Sequence, residues 1–296
     1  MKKRWFWLLI VPVLFLIVGC QKQAQPQHNH KIQIVTSIPA YSEMAQGVLG
    51  NKGAATSLIK TPSQNPHDFE PTVRDAEQVT DANFVIYNGL GYDSWMPKLI
   101  SSTGSKAKTT NIGSDVLHLQ VGANPHAWYN QRTMPKASDR LTAQLSKKYP
   151  KNKAYFERNN AKYKQSLVPI QTQIKQIKTK SNHKQVAVSE PVMNYELEDM
   201  GYKLVDNHFS QAVENGSDPS PSDIAEMQSL IRHHKIAFFV ENTQTDSNII
   251  KNIVKTAKKN HIPVVQVTET QPTNLNYVQW MEQQNNQIMK IEGLKK

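Results

Sequence analysis

The chain has 296 residues, a single cysteine, 38% hydrophobic residues and a formal charge of +11. One thiol excludes a disulfide framework, and the length is enough for one large or two medium domains built on ordinary hydrophobic cores. The charge falls to +8 once Lys2, Lys3 and Arg4 are set aside, and elsewhere it clusters no further than pairs such as Lys147-Lys148 and Lys295-Lys296. That dispersal describes a solvated surface, not a nucleic-acid groove.

Lys2, Lys3 and Arg4 precede an unbroken apolar run from Trp5 to Gly19, the charged and apolar regions of a secretory signal over residues 1–19. The run is short for a membrane span. It closes on Ile17-Val18-Gly19-Cys20, which resembles a bacterial lipobox. That resemblance implies a lipid on Cys20 and a place on the outer face of the bacterial cell membrane; the other reading is an uncleaved anchor with an incidental cysteine. Residues 20–31 (Gln, Asn, Lys and the pair His28 and His30 among them) have almost nothing to bury and read as a flexible tether.

From Ile32 the pattern becomes α/β. Ile32–Thr36 alternates as a strand, Pro39–Leu49 has helical spacing, Ser57-Leu58-Ile59 and Phe84–Tyr87 read as strands, and Asn88-Gly89 is a turn signal. A helix follows around Ala137, Leu141 and Leu145, ending at Tyr149-Pro150. Next, Phe156, Tyr163, Leu167, Ile170, Ile174 and Ile177 fall on one helical face, predicting one long helix over residues 151–180 with Pro169 as a point of kinking. Strands resume at Val186–Ser189, Ile236–Val240 and Pro263–Val267. Between them, Ser220-Pro221-Ser222-Asp223 carries a cap, a first-turn proline and an acid for one helix, and Asp246-Ser247 opens another. The expected fold is α/β: two lobes, residues 32–150 and 181–296, each a parallel sheet flanked by helices, joined by one long rigid helix at 151–180.

Ligands of open α/β sheets collect beyond the C-terminal ends of strands. Four metal-capable side chains stand at such places: His67 in Asn65-Pro66-His67, His126 in Asn124-Pro125-His126, Glu190 directly after the Val186 strand, and Glu269 two residues past Val267. Singly, each has a plainer reading, a surface histidine or a helix-capping acid. Together the repeated Asn-Pro-His form, with proline stiffening each loop, and the matched strand-end positions point to one shared site. His208, in a polar segment, is a reserve ligand. Imidazole ligation would weaken below about pH 6.5 as the rings take up protons.

The Asn65–Thr72 loop, the Asp81–Gly91 segment, Asn124–Trp128, Asp218–Asp223 and Tyr277–Met281 together resemble the metal-binding lipoproteins of manganese and zinc ABC importers, over essentially all of the mature chain. The resemblance implies two lobes bridged by a rigid helix. It implies one divalent ion as transported cargo, held by His67, His126, Glu190 and a fourth carboxylate near the last strand. The family usually has Asp at that fourth position, where this chain offers Glu269. A membrane permease is the implied partner, with a monomeric chain tied to lipid through Cys20. Two imidazoles with two carboxylates suit Mn²⁺, although Zn²⁺ binds most such sites more tightly.

Two other classes stand beside this one. A secreted metal-dependent hydrolase would need an open coordination position and a general base; the chain has neither His-Glu-x-x-His nor Gly-x-Ser-x-Gly. A surface adhesin with incidental metal binding would fit tandem modules, and the chain shows no repeats.

Overall fold

The computed structural model describes residues 31–294. The expected signal (1–19), Cys20 and nearly all of the tether, with His28 and His30, lie outside the described residues. Among those described, no helix is long and apolar enough to cross a membrane.

The first half alternates strand and helix: β1 (Ile32–Thr36), α1 (Pro39–Leu49), β2 (Gly53–Ser57), α2 (Val73–Asp81), β3 (Phe84–Tyr87), α3 (Trp95–Thr103) and β4 (Lys108–Asn111). These strands form one all-parallel sheet in the order β2-β1-β3-β4. Helices α4 (Thr133–Lys148), α5 (Lys153–Ser166) and α6 (Val168–Ser181) follow. The second half contains β5 (Gln185–Val188), α7 (Asn194–Asp199), β6 (Lys203–Leu204), α8 (Asn207–Glu214), α9 (Pro221–Arg232), β7 (Phe239–Asn242), α10 (Asn248–Lys259), β8 (Val264–Val267) and α11 (Tyr277–Ile291). Its sheet is again parallel, in the order β6-β5-β7-β8. Both sheets have the same topology, the fold expected from the alternating pattern.

The joining segment is the expected long helical stretch, interrupted at one residue beside the expected kink point. Helices α5 and α6 are separate, divided at Leu167, and Pro169 sits in the first turn of α6. Proline has no N–H to give to Gln165, four residues earlier, and its ring crowds that carbonyl, so the helix ends and restarts where a first-turn proline costs nothing. The apolar face nevertheless runs across the break: Phe156, Tyr163, Leu167, Ile170, Ile174 and Ile177 are all buried.

One hydrophobic core links the two sheets, running from Ile34 and Val85 through Trp128 and Tyr129 to Val186, Val265 and Trp280. A smaller cluster with Phe209, Met227, Phe239 and Ile253 lies within the second half. Polar ties cross the same boundary. Tyr277 Oη donates to the Trp128 carbonyl at 2.6 Å, and Glu43 of α1 accepts from the Tyr277 amide at 2.8 Å and from Gln271 Nε2 at 2.9 Å. Helices α9 and α11 each begin with a reciprocal capping box, Ser220 with Asp223 and Asn276 with Gln279. A cap of this kind contributes about 1 kcal/mol and fixes where the preceding loop must end.

Candidate metal centre

Because both sheets are parallel, every strand delivers its following loop to the same edge of its sheet. His67 lies in the loop after β2, Tyr92 after β3, His126 after β4, Glu190 after β5, Thr245 after β7 and Glu269 after β8. The two Asn-Pro-His loops fold alike: Asn65 Oδ1 accepts the His67 amide at 2.9 Å, and Asn124 Oδ1 accepts the His126 amide at 3.0 Å. These side-chain turns explain the asparagine at each position. Tyr92 is set by the Asn88-Gly89 turn, where Asp93 accepts both backbone amides at 2.6 and 2.8 Å. Gly89 has φ of 75°, and a Cβ there would lie 2.2 Å from Asn111 Oδ1, so no other residue fits.

His126 is fully buried, and its Nδ1 lies 2.8 Å from Asn124 Oδ1. That oxygen already accepts an amide, so it is an acceptor, and Nδ1 carries the ring proton. Nε2 is left with a bare lone pair and without a hydrogen-bond partner. Around it stand carboxylates: Glu214 Oε2 at 3.8 Å and Glu269 Oε1 at 4.0 Å. Glu269 Oε1 is likewise buried and unpartnered, and it lies 4.0 Å from His67 Nε2. Glu190 is held differently. Asn242 Nδ2 donates to its Oε2, and Thr245 Oγ1 donates to its Oε1 at 2.7 Å. Tyr92 packs edge-on against His67 with centroids 4.9 Å apart, and Trp128 packs 5.4 Å from His126.

His67, Glu190, Glu214, Thr245 and Glu269 line one cavity of about 360 Å³. A second cavity, about 650 Å³, opens from His67 and Glu214 toward Asn207 and Ser210. Among the described residues, no three histidine, cysteine or acidic side chains already enclose a common point at coordination distance. Ligand atoms about 2.1 Å from a tetrahedral ion stand about 3.4 Å apart. The imidazole–carboxylate pairs at 3.8 and 4.0 Å are therefore about half an ångström wider than a closed shell.

Burial lowers the His126 pKa to about 3, with the neighbouring His67 adding to the effect. His67 is also lowered by burial, against an opposing pull from Asp68. Burial raises Glu214 to about 8, helped by the charges of Glu269 and Glu190. Glu269 rises to about 7 by burial and the charge of Glu190, partly offset by the Tyr92 hydroxyl. These shifts differ from an imidazole that titrates near pH 6.5. His126 stays neutral throughout the physiological range, and in the metal-free cavity the groups raised into that range are Glu214 and Glu269.

The structure brings His67 and His126 each to 4.0 Å from Glu269, and Glu190 lines a cavity with His67 and Glu269. It does not bring His208 there: that ring is exposed on α8, beside Asp206. Glu214, at the other end of α8, is the residue that sequence reasoning missed. It follows Ser210 by four residues, on the face that carries buried Ser210 and Phe209. Spacing within 207–214 can put Glu214 on the buried face of α8, but that this face meets the His126 loop is a tertiary relation.

Residues 34–291 match the sequence model of the periplasmic zinc-uptake complex component A. The chain belongs to this family. Among relatives, it is 26% identical over 272 residues to the metal ABC transporter substrate-binding lipoprotein FimA of Streptococcus parasanguinis, covering 86% of this chain and 85% of that one. It is 24% identical over 272 residues to the manganese ABC transporter substrate-binding lipoprotein PsaA of Streptococcus pneumoniae, covering 86% of each. The periplasmic zinc binding protein TroA of Treponema pallidum shares the fold, with a TM-score of 0.73 at 15% identity over 88% of this chain and 99% of that one.

Proposed function

We propose that this chain is the extracytoplasmic, lipid-anchored solute-binding component of an ABC importer, capturing one Mn²⁺ or Zn²⁺ ion and handing it to a membrane permease. The observation that carries this reading is His126: a fully buried imidazole whose Nδ1–H is committed to Asn124, whose Nε2 has no partner, and which faces two carboxylates across 3.8 and 4.0 Å. An unpartnered buried nitrogen lone pair beside an unpartnered buried carboxylate oxygen is costly in a metal-free protein. A divalent cation satisfies both at once.

In this reading residues 32–150 form the lobe that supplies His67 and His126. Residues 181–296 form the lobe that supplies Glu190 and Glu269, and residues 151–180 join them. The ion is cargo, so nothing is turned over and no catalytic residue is required. The signal over 1–19 and a lipid on Cys20 keep a monomeric chain at the outer face of the membrane, within reach of the permease.

Titration of the metal-free protein with Mn²⁺ and Zn²⁺ against a chromophoric chelator tests this. One ion bound per chain, with binding lost in His126→Ala, is the expected result. Undiminished affinity in that variant would place the ion elsewhere and refute the site.

A further inference from the structure

We infer that Glu214 is itself a ligand of the captured ion, adding a third carboxylate to the two imidazoles and making the site an oxygen-rich one suited to Mn²⁺. This rests on the reading that the cavity captures a divalent cation. Three observations carry it. Glu214 Oε2 stands 3.8 Å from His126 Nε2, nearer than Glu269 Oε1 at 4.0 Å, so it is the carboxylate closest to the buried lone pair. His126 is fully buried and unpartnered at that nitrogen, and Glu214 is only 10% exposed. Glu190, by contrast, has both oxygens engaged by Asn242 and Thr245. Among the described residues it makes no approach to an imidazole nitrogen as close as those of Glu214 and Glu269.

The helix explains how Glu214 arrives. Helix α8 ends at Glu214, and the chain then turns through Asn215 and Gly216, the latter at φ of 69°. The carboxylate therefore stands at a helix end, and His67 and Glu214 line both cavities. His67, Glu269, His126 and Glu214 form an unbroken chain of neighbours, each pair 3.8 or 4.0 Å apart. With Glu190, which lines the smaller cavity, the cluster offers five side-chain donors, three of them carboxylates. That exceeds the four a tetrahedral Zn²⁺ takes, whereas an octahedral, oxygen-preferring ion uses the surplus.

The test is Glu214→Gln, which keeps the shape and removes the charge, titrated with Mn²⁺ and with Zn²⁺ beside the wild type; thermal unfolding of the metal-free variant verifies that it folds. The expected result is a rise in the Mn²⁺ Kd of at least about tenfold, equivalent to about 1.4 kcal/mol, with a Zn²⁺ change under about threefold. A crystal structure of the Mn²⁺-loaded wild type gives the independent measurement, with a Glu214 oxygen about 2.2 Å from the ion. Wild-type Mn²⁺ affinity in the variant, an equal loss for both ions, or a Glu214 oxygen beyond about 3.5 Å from the ion would overturn the inference while leaving the capture reading intact. If the wild type takes up neither ion, the capture reading itself fails.

Discussion

The carboxylates that would receive a cation make the metal-free protein unusual in its response to pH, and Glu214 is where the effect is largest. Its pKa rises from the ordinary 4.5 to about 8, through burial first and the charges of Glu269 and Glu190 second. Each factor of ten in proton affinity is worth about 1.4 kcal/mol, so the folded state holds this proton on the order of 5 kcal/mol more tightly than the unfolded chain. Rotation of the side chain toward the solvent of the adjoining cavity relieves part of that, leaving about 1–3 kcal/mol to be measured. The sign follows from the raised value. The stabilising proton is fully present in the folded protein below pH 4.5, and its contribution is lost as pH rises through about 8. Glu214→Gln is a permanent neutral isostere and keeps the contribution at every pH. Chelator-treated wild type and variant are compared by denaturant unfolding at pH 5, 6.5 and 8. The two should coincide at pH 5, and the variant should be more stable by about 1–3 kcal/mol at pH 8. A gain that is absent at pH 8, or the same at every pH, would refute the electrostatic account of the cavity.

Metal affinity should rise between pH 6 and 8, with protons released on binding, because Glu269 and Glu214 titrate at about 7 and about 8 whereas His126 titrates at about 3; calorimetry in buffers of different ionisation enthalpy counts those protons, and a flat profile over this range would contradict the assignment. Thr245→Val removes the donor to Glu190 Oε1 with little change of shape and should weaken metal binding by about tenfold, as the loss of a ligand-orienting partner does. Unchanged affinity would mean that Glu190 is not a ligand. Cys20→Ala should move the protein from the membrane fraction to the medium, as seen by blotting of fractionated cells, and retention in the membrane would favour an uncleaved anchor.

Much of the fold was legible because its strands and caps are local signals. Ile32–Thr36 and Phe84–Tyr87 form strands with the bounds their alternation gives, and α9 starts at Pro221 behind the Ser220 cap. Where the pattern was apolar without being periodic, the ladder shifted. The expected Ile236–Val240 strand lies instead over Phe239–Asn242, although Ala237 already donates to the Gln185 carbonyl of β5 at 2.8 Å. That shift matters to the site, because it puts Asn242 at the strand end, where its amide reaches Glu190. Strands β4 and β6 escaped notice because Lys108–Asn111 and Lys203–Leu204 are polar or very short edge strands, with no hydrophobic run to mark them. Among the histidines, His118, His183, His234 and His261 all adopt positive φ in turns, a conformation that histidine tolerates better than most residues, and this accounts for them without a ligand role. His67 and His126 were visible through the repeated Asn-Pro-His loop, whose asparagine turns the structure reproduces. Glu214 was not, because its part in the site depends on how α8 lies against β4's following loop, a tertiary relation that no spacing within residues 207–214 encodes.

The claim at the centre of this account is that one divalent ion is captured at the buried Nε2 of His126. Elemental analysis of tag-free protein, equilibrated with a manganese and zinc mixture and then desalted, measures it most directly. The account predicts about one ion of Mn or Zn retained per wild-type chain and essentially none in His126→Ala. Wild-type protein that retains neither metal, or a variant that retains as much as the wild type, would contradict it.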